Sequence, residues 1–415
     1  MAMLLKNAVL LDANYDNAPL DILVEGEKIL QVGTGLTAEQ EIDLTGYTVL
    51  PGFIDAHIHV ATKEGYFPDE ALLAWAENGV TTVRELGMLS TMPMDEYAAW
   101  IQAQNKRPQA ARLIATGKYI DVAGGYGCGP EPNKVVGNVV EDIAGAEKMV
   151  EKAHDLGFPG IKIGISDGMA GAPRMSNEMI AAIGKKCKEL GMFTACHIGT
   201  SASLEDMVNG DIGEAGHTPN DVMPQGLIEK MVEKGVPMDT TIGDPDKAME
   251  PPPGMDFPGG MPGGPGGMPG GPGGMPGGPG GMPGGPGGMD PAKMAEQKKQ
   301  QNKIMRENLK RFYDAGGKIV LGTDLIHSKD FKKDATIPVV EMRQLVESGI
   351  PFREAIKAGT ISAAEVVGTA QEEGTIEAGK LANLIAVKGR VDESFQQLKQ
   401  VAFVMHYGTI IKNLG

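Results

Sequence analysis

Cysteine is scarce: there are 3 in 415 residues, Cys128, Cys187 and Cys196, and no CxxC among them. That usage excludes a disulfide framework, argues against a structural zinc knuckle and suits a reducing compartment. No run of about 18 apolar residues occurs, which excludes a membrane-spanning helix. Basic residues are outnumbered, 38 Lys+Arg against 54 Asp+Glu, for a formal net charge of −16. Such a surface repels phosphate backbones and anionic headgroups, so neither nucleic acid nor a membrane is an expected partner. The opening residues, MAMLLKNAVLLDANYDNAP, lack a basic segment followed by a clean apolar stretch and a small-residue cleavage site. The expectation is a soluble, cytoplasmic protein, long enough for one large barrel with something attached.

Glycine and proline, by contrast, are concentrated. They make up 31 of the 40 residues from Pro251 to Asp290, where MPGGPGG repeats four times from Met261, Met268, Met275 and Met282. A period of seven breaks the Gly-every-third rule of collagen, and Pro and Gly forbid a coiled coil. The segment reads as a flexible low-complexity insert. Its evenly spaced methionines leave a soft thioether site or an apolar sticky surface as the sharper alternative.

The remaining chain changes character twice. Residues 1–51 read as short strands (Leu4–Leu11, Asp21–Glu25, Lys28–Val32, Glu41–Asp43, Tyr47–Leu50), and residues 370–415 return to that pattern (Leu384–Val387, Val401–Tyr407, Thr409–Lys412). Between them, over 52–369, β-rich runs alternate with helical patterns such as Val140–Leu156, Asn177–Leu190 and Gly226–Lys234. Eight strands are expected: Phe53–His59, Thr81–Leu86, Arg112–Ala115, Gly160–Ile165, Phe193–Ile198, Gly213–His217, Val236–Ile242 and Lys318–Thr323. Eight strands alternating with helices is the pattern of a (β/α)8 TIM barrel, an α/β fold, here with a small β-domain built from both termini. The insert then follows strand seven, at the face where barrel enzymes keep their active sites.

Chemistry-bearing residues fall at the C-terminal ends of those strands. His57 and His59 in FIDAHIH are two apart on strand one and share a face. His197 ends strand five, His217 ends strand six, and Asp324 follows strand eight in the stretch GTD. Lys162 sits inside strand four, in the apolar context GIKIGIS, where a free ammonium is costly to bury. A lone strand histidine is ordinarily a hydrogen-bonded core residue. Four of only 7 histidines at three strand ends, ringed by an acid and a lysine, are better read as a metal site.

Neutral imidazoles and a carboxylate suit zinc and similar divalent ions, with a position left for water. A metal-bound water reaches hydroxide near pH 7, and Asp324 can take its proton and pass it to the leaving group. Beside cations, Lys162 should lose its own proton. The neutral amine can then take up carbon dioxide to become a carbamate (N6-carboxylysine) able to bridge two metals; the alternative is a strand lysine snorkelling to the rim.

These residues resemble the amidohydrolase superfamily across nearly the whole chain: PGFIDAHIH (51–59), GVTTVRELG (79–87), GIKI, HIG, GHTP, GTD and the tail GTIEAGKLANLIAV (374–387). The nearest subgroup is that of imidazolonepropionase-like proteins and carboxylated-lysine dipeptidases of the Xaa-Pro type. The resemblance implies a distorted barrel with a composite β-sandwich domain. It also implies two divalent metals, one held by His57, His59 and Asp324 and one by His197 and His217, with carboxylated Lys162 between them. The activity implied is hydrolysis of a C–N bond in a small amide, cyclic amide or dipeptide. Homo-oligomers are common among such barrels.

Three departures stand out. The dipeptidases' GGHG reads AGGYGCGPEPN here, placing Tyr126 where a substrate-facing histidine is usual; its phenol can donate a hydrogen bond to substrate. EHG appears as Ala215-Gly216-His217, and ADL as Ala382-Asn383-Leu384. His327, three residues beyond Asp324, is a second candidate substrate contact. Arg84 and Glu85 read as an interior ion pair, Cys196 as packing and Cys128 as a candidate reactive thiol, while His154 and His406 have no assigned role. The rivals are a mononuclear deaminase or lactone hydrolase of the same superfamily, and a non-catalytic scaffold using the Met/Gly/Pro insert.

Overall fold

The computed structural model describes residues 2–62, 65–66, 69–88, 90–125, 137–166, 173–244, 291–326 and 330–414. The insert 251–290 lies outside the described residues, as do Tyr126, Cys128 and His327.

Both ends of the chain build one sheet. Its path runs through Thr409–Lys412, Val401–His406, Leu384–Lys388, Tyr47–Pro51, Ala2–Leu11, Asp16–Glu25 and Lys28–Gly33, with Gln40–Asp43 also paired to Ala2–Leu11. The termini meet where Leu384–Lys388 runs antiparallel to Tyr47–Pro51. Alternation along these strands gathers Leu5, Leu10, Ile22, Val24, Leu384 and Phe403 into an apolar core separate from that of the rest of the chain. Each fully buried large apolar side chain contributes roughly 1.5–3 kcal/mol, so this core is a substantial unit. All eight strands belong to a single hydrogen-bonded sheet.

His406 ties this sheet to the middle of the chain. It is fully buried, its Nδ1 lies 3.0 Å from the carbonyl of Pro108, and its Nε2 has no hydrogen-bond partner among the described residues. Burial pushes its pKa down to about 4. A histidine whose folded pKa lies below its unfolded value of about 6.5 supports the fold fully above that value. Its contribution is lost as pH falls towards 4. Wild type should therefore lose about 2 kcal/mol between pH 7.5 and 5 that His406→Phe does not lose, at about 1.4 kcal/mol per unit. Denaturant midpoints of both proteins at the two pH values check this; equal losses would refute it.

Between the ends, short parallel strands alternate with helices that start and stop on ordinary signals. Helix Ile143–Asp155 begins where the Asp142 side chain accepts from Gly145 N, at 2.7 Å, and Asn177–Glu189 is capped likewise by Ser176. Gln225–Lys234 ends on Gly235, whose φ of 67° is left-handed. Such side-chain caps satisfy the free N–H groups of the first turn, and glycine takes the left-handed stop without steric cost.

The strands form several small sheets. Phe53–Ile58, Val80–Glu85 and Arg112–Ala115 pair in parallel, as do Gly160–Gly164 with Phe193–His197 and Met238–Asp239 with Ile319–Val320. The sixth expected strand contracts to one residue, Ala215, which bridges Cys196 on one side and Met238 on the other. Ala56 N donates to Leu321 O at 2.9 Å, and Ile58 bridges Leu325, so the last segment lies beside the first. Single bridges and hydrogen bonds therefore connect sheets that the sequence reading joined in one closed ladder. The later strands, Met238–Asp239 and Ile319–Val320, are two residues each. Thr241, two residues beyond one of them, has φ 41°, and Asp324, four residues beyond the other, has φ 54°. No helix of the described residues is long and apolar enough to cross a membrane.

Candidate metal centre

Strand parity sets the first layer of the site. Asp55, His57 and His59 alternate with Ile54, Ala56 and Ile58, and all six are buried. Asp55 accepts from Thr323 N (3.1 Å), Thr323 Oγ1 (2.7 Å) and His57 N (3.3 Å). It thereby locks the strand bearing His57 to the turn bearing Asp324. Burial, against those bonds, raises its pKa to about 7. Asp324 N donates to His57 O at 2.7 Å, which holds Asp324 in its left-handed conformation. Aspartate tolerates that region better than most residues, and strain of this kind collects at functional sites.

His57, His59 and Asp324 each offer a ligand atom, and the three atoms lie within 4.8 Å of one another. Asp324 Oδ1 is 3.1 Å from His59 Nε2 and 3.5 Å from His57 Nε2. The opposite ring nitrogens are held from behind: His57 Nδ1 lies 2.8 Å from Gly216 O and 3.2 Å from Asp239 Oδ2, and His59 Nδ1 lies 2.9 Å from Gly87 O. Such backing fixes which nitrogen faces the site. Glu85 stands behind His59, 3.7 Å from its Nδ1, and accepts from Val60 N at 3.1 Å and from the Tyr97 hydroxyl.

His197 and His217 form a second group. His197 Nδ1 is 2.7 Å from His217 Nε2, and His217 Nδ1 is 3.0 Å from Thr241 Oγ1. The ring centroids of His57 and His217 are 4.9 Å apart, so the two groups adjoin. Lys162 is 1 % exposed and its Nζ has no hydrogen-bond partner among the described residues. It lies at the join: a methyl group on Gly216 would sit 2.3 Å from Lys162 Nζ and 3.4 Å from His57 Cε1. Gly216 and Gly87 thus make room for the lysine side chain itself, which explains why glycine precedes His217.

The electrostatics follow from burial and from these neighbours. Burial opposes the Asp324 anion, yet His57, His59 and His197 outweigh it and hold the carboxyl below its usual range. Burial likewise works against charge on His59, but the Asp324 and Glu85 hydrogen bonds raise it to about 9. His57 is pushed down by burial and by Lys162, and His217 by burial and by His197. Burial lowers Lys162 against the pull of Asp239 and Asp324.

Under the histidines lies a polar layer that the sequence reading missed or misassigned. Arg84 does not pair with its neighbour Glu85. Adjacent strand residues face opposite ways, and Arg84 instead pairs with Glu214 through both guanidinium NH groups, one contact at 2.9 Å, while its Nε donates to Ala56 O at 2.7 Å. Burial raises Glu214 to about 8 despite Arg84, and burial raises Asp239 as well. The parity of Asp55 with His57 was a usable signal; Glu214 and Asp239 offered only their place on expected strands. Cys196 is buried in the main apolar core, and His154 is an exposed helix residue beside Asp155.

The residues fit a divalent cation. The donors are imidazoles and a carboxylate, and His57 Nε2 is buried without a hydrogen-bond partner among the described residues.

Comparison with known proteins agrees. The profile of the amidohydrolase family matches residues 48–256 and 287–412. An allantoinase of Enterococcus faecalis is 37% identical over 87 residues, covering 20% of this chain and 18% of that protein. A dihydroorotase of Lactobacillus gasseri is 28% identical over 154 residues, 36% of this chain and 33% of that protein. The chain thus matches a third or less of the length of either. Among solved structures, a Xaa-Pro dipeptidase with bound methionine aligns over 99% of both chains, with a TM-score of 0.74 and 20% identity. A prolidase complexed with n-methylphosphonate-l-proline aligns over 100% of both, with a TM-score of 0.75 and 21% identity. The ochratoxinase of A. niger covers 100% of this chain and 96% of its own, with a TM-score of 0.74 and 16% identity. These likenesses show a TIM-barrel-like α/β fold. With the family profile spanning most of its length, the chain belongs to the amidohydrolase family.

Proposed function

We propose that this chain is a binuclear metal-dependent hydrolase that cleaves a C–N bond in a small amide, cyclic amide or dipeptide. The observation that carries the reading is the convergence of His57, His59 and Asp324 beside His197 and His217, with a buried Lys162 amine that has no hydrogen-bond partner among the described residues at the join. His57, His59 and Asp324 would hold one ion and His197 and His217 the other. Lys162 would bridge them as a carbamate: its neutral nitrogen bonds to the carbon of carbon dioxide and releases a proton. The burial that lowers Lys162 supports the neutral amine this step needs.

When bound, the ions, zinc in this reading, polarise the scissile carbonyl and bring the pKa of water towards neutrality. The chain's own residues do the rest. Asp324 keeps 29% of its side chain exposed, so its carboxylate can meet substrate. It takes a proton as water oxygen bonds to the carbonyl carbon and returns it to the nitrogen as the C–N bond breaks. Asp55, through Thr323, keeps Asp324 and His57 in register. The sandwich, the fully closed barrel, a cytoplasmic location and a preference for small molecules over macromolecular partners belong to the same proposal. They are supported by the whole-length structural likenesses and by the acidic composition.

One observation favours a single-metal variant. Among the described residues only His57, His59 and Asp324 form a group of three with ligand atoms within 4.8 Å of one another, while His197 and His217 hydrogen-bond to each other. Elemental analysis of protein prepared with zinc and bicarbonate decides between the two. Two metals per chain in wild type, falling to one or none in Lys162→Ala, is the expected result. One metal in both proteins would remove the bridge and redirect substrate screening to mononuclear chemistry such as deamination.

A further inference from the structure

Glu341 is a buried carboxylate outside the expected ligand set, on helix Val339–Glu347, and only 2% exposed. It accepts two consecutive backbone donors, Ile242 N at 3.1 Å and Gly243 N at 2.6 Å. The turn it grips is unusual. Thr241 has φ 41° and Gly243 has φ 72°. Glycine reaches that region freely, but for a β-branched threonine it is a strained outlier. A turn of that kind persists only when its surroundings over-determine it. Three bonds do so here: the two to Glu341, and Thr241 N to Gly322 O at 3.1 Å. The outcome is that Thr241 Oγ1 lies 3.0 Å from His217 Nδ1, and His217 Nε2 turns towards His197.

We infer that Glu341 is a positioning residue for His217, acting through the strained Thr241 turn. A carboxylate with two acceptor oxygens can hold two parallel N–H groups, and a neutral amide in its place offers one acceptor and turns a donor towards the other N–H. Threonine supplies the hydroxyl, and Glu341 supplies the backbone conformation that aims it. The chain leaves the turn at Asp244, whose carbonyl accepts from Lys298 Nζ at 2.9 Å, before entering residues 245–290. The consequence for catalysis rests on the binuclear reading, but the positioning itself does not.

The test therefore begins without metal. Metal-free full-length protein labelled with 15N-histidine gives ring-nitrogen resonances for His217, assigned with His217→Gln. Glu341→Gln and Thr241→Val should each shift or broaden those resonances, and the double variant should move them no further than Thr241→Val alone, since coupled residues are non-additive. Thr241→Ser, which keeps the hydroxyl, should leave them near wild type. His217 resonances unchanged in Glu341→Gln, with Thr241→Val shifting them, would overturn the proposal. Glu341→Gln is nearly isosteric, and its melting curve establishes that it is folded. Titration of the same proteins with Zn2+ then measures the consequence. Weakening of about 10–100-fold at one of two sites is expected, as for other residues that orient a metal-binding histidine. If the resonances move and Zn2+ affinity does not, Glu341 still positions His217, and it is the assignment of His217 as a ligand that falls.

Discussion

Asp324→Asn should lower turnover by about 10³-fold while leaving the protein folded, because loss of a positioned proton-transfer group costs roughly 10²–10⁴-fold. Asparagine preserves the shape of the side chain and its tolerance of the left-handed conformation that Asp324 adopts at φ 54°. It cannot carry the negative charge that His57, His59 and His197 favour at this position. The same substitution replaces the anionic partner that helps raise His59 to about 9 with a neutral amide, so the His59 pKa should fall in the metal-free variant. Two measurements check the prediction: hydrolysis of a panel of small amides, cyclic amides and dipeptides by zinc-loaded protein, and thermal melting of both proteins. Retention of more than a tenth of wild-type turnover on a substrate that wild type hydrolyses would remove Asp324 from proton transfer.

Glu214→Leu should destabilise the fold by about 3–5 kcal/mol, and more than Arg84→Met does, although both break the same buried pair. The asymmetry comes from proton chemistry. Without Arg84, Glu214 can neutralise itself, since burial already raises it to about 8. Without Glu214, Arg84 cannot shed its charge, because a guanidinium stays protonated in proteins. Arg84 is 0% exposed, so water cannot take over from the lost carboxylate, and the more distant Asp239 and Asp55 are left to offset its charge. The double variant Arg84→Met/Glu214→Leu should recover most of the loss, since it leaves no unpaired cation. Urea denaturation of the four proteins completes the cycle; additive losses would mean that the pair is not the source. The disturbance should also reach the site, because Asp239 Oδ2 is 3.2 Å from His57 Nδ1.

The sequence located the residues that converge, and the reason is periodicity. His57 and His59 share a face because strand side chains alternate, and the apolar residues between them mark the strand as buried on both faces. The same parity applied to Asp55, whose role as a lock between His57 and Thr323 was legible but passed over. Parity also argued against pairing Arg84 with Glu85, since neighbours on a strand point apart. The joining of both termini in one sheet was legible too, from matching short-strand patterns at the two ends.

What the chain determined by itself is local: the family motifs, the alternation of strand and helix, the caps at Asp142 and Ser176, and which side chains of a strand face inward. Each depends on a few neighbouring residues and on the repeat of the backbone. Only the tertiary structure decided which inward residues meet. Arg84 finds Glu214, Lys162 finds the space left by Gly216, and Glu341 grips a turn about a hundred residues away from it. Such contacts depend on how strands and helices from distant parts of the chain are placed side by side, and spacing along the chain carries no record of that distance.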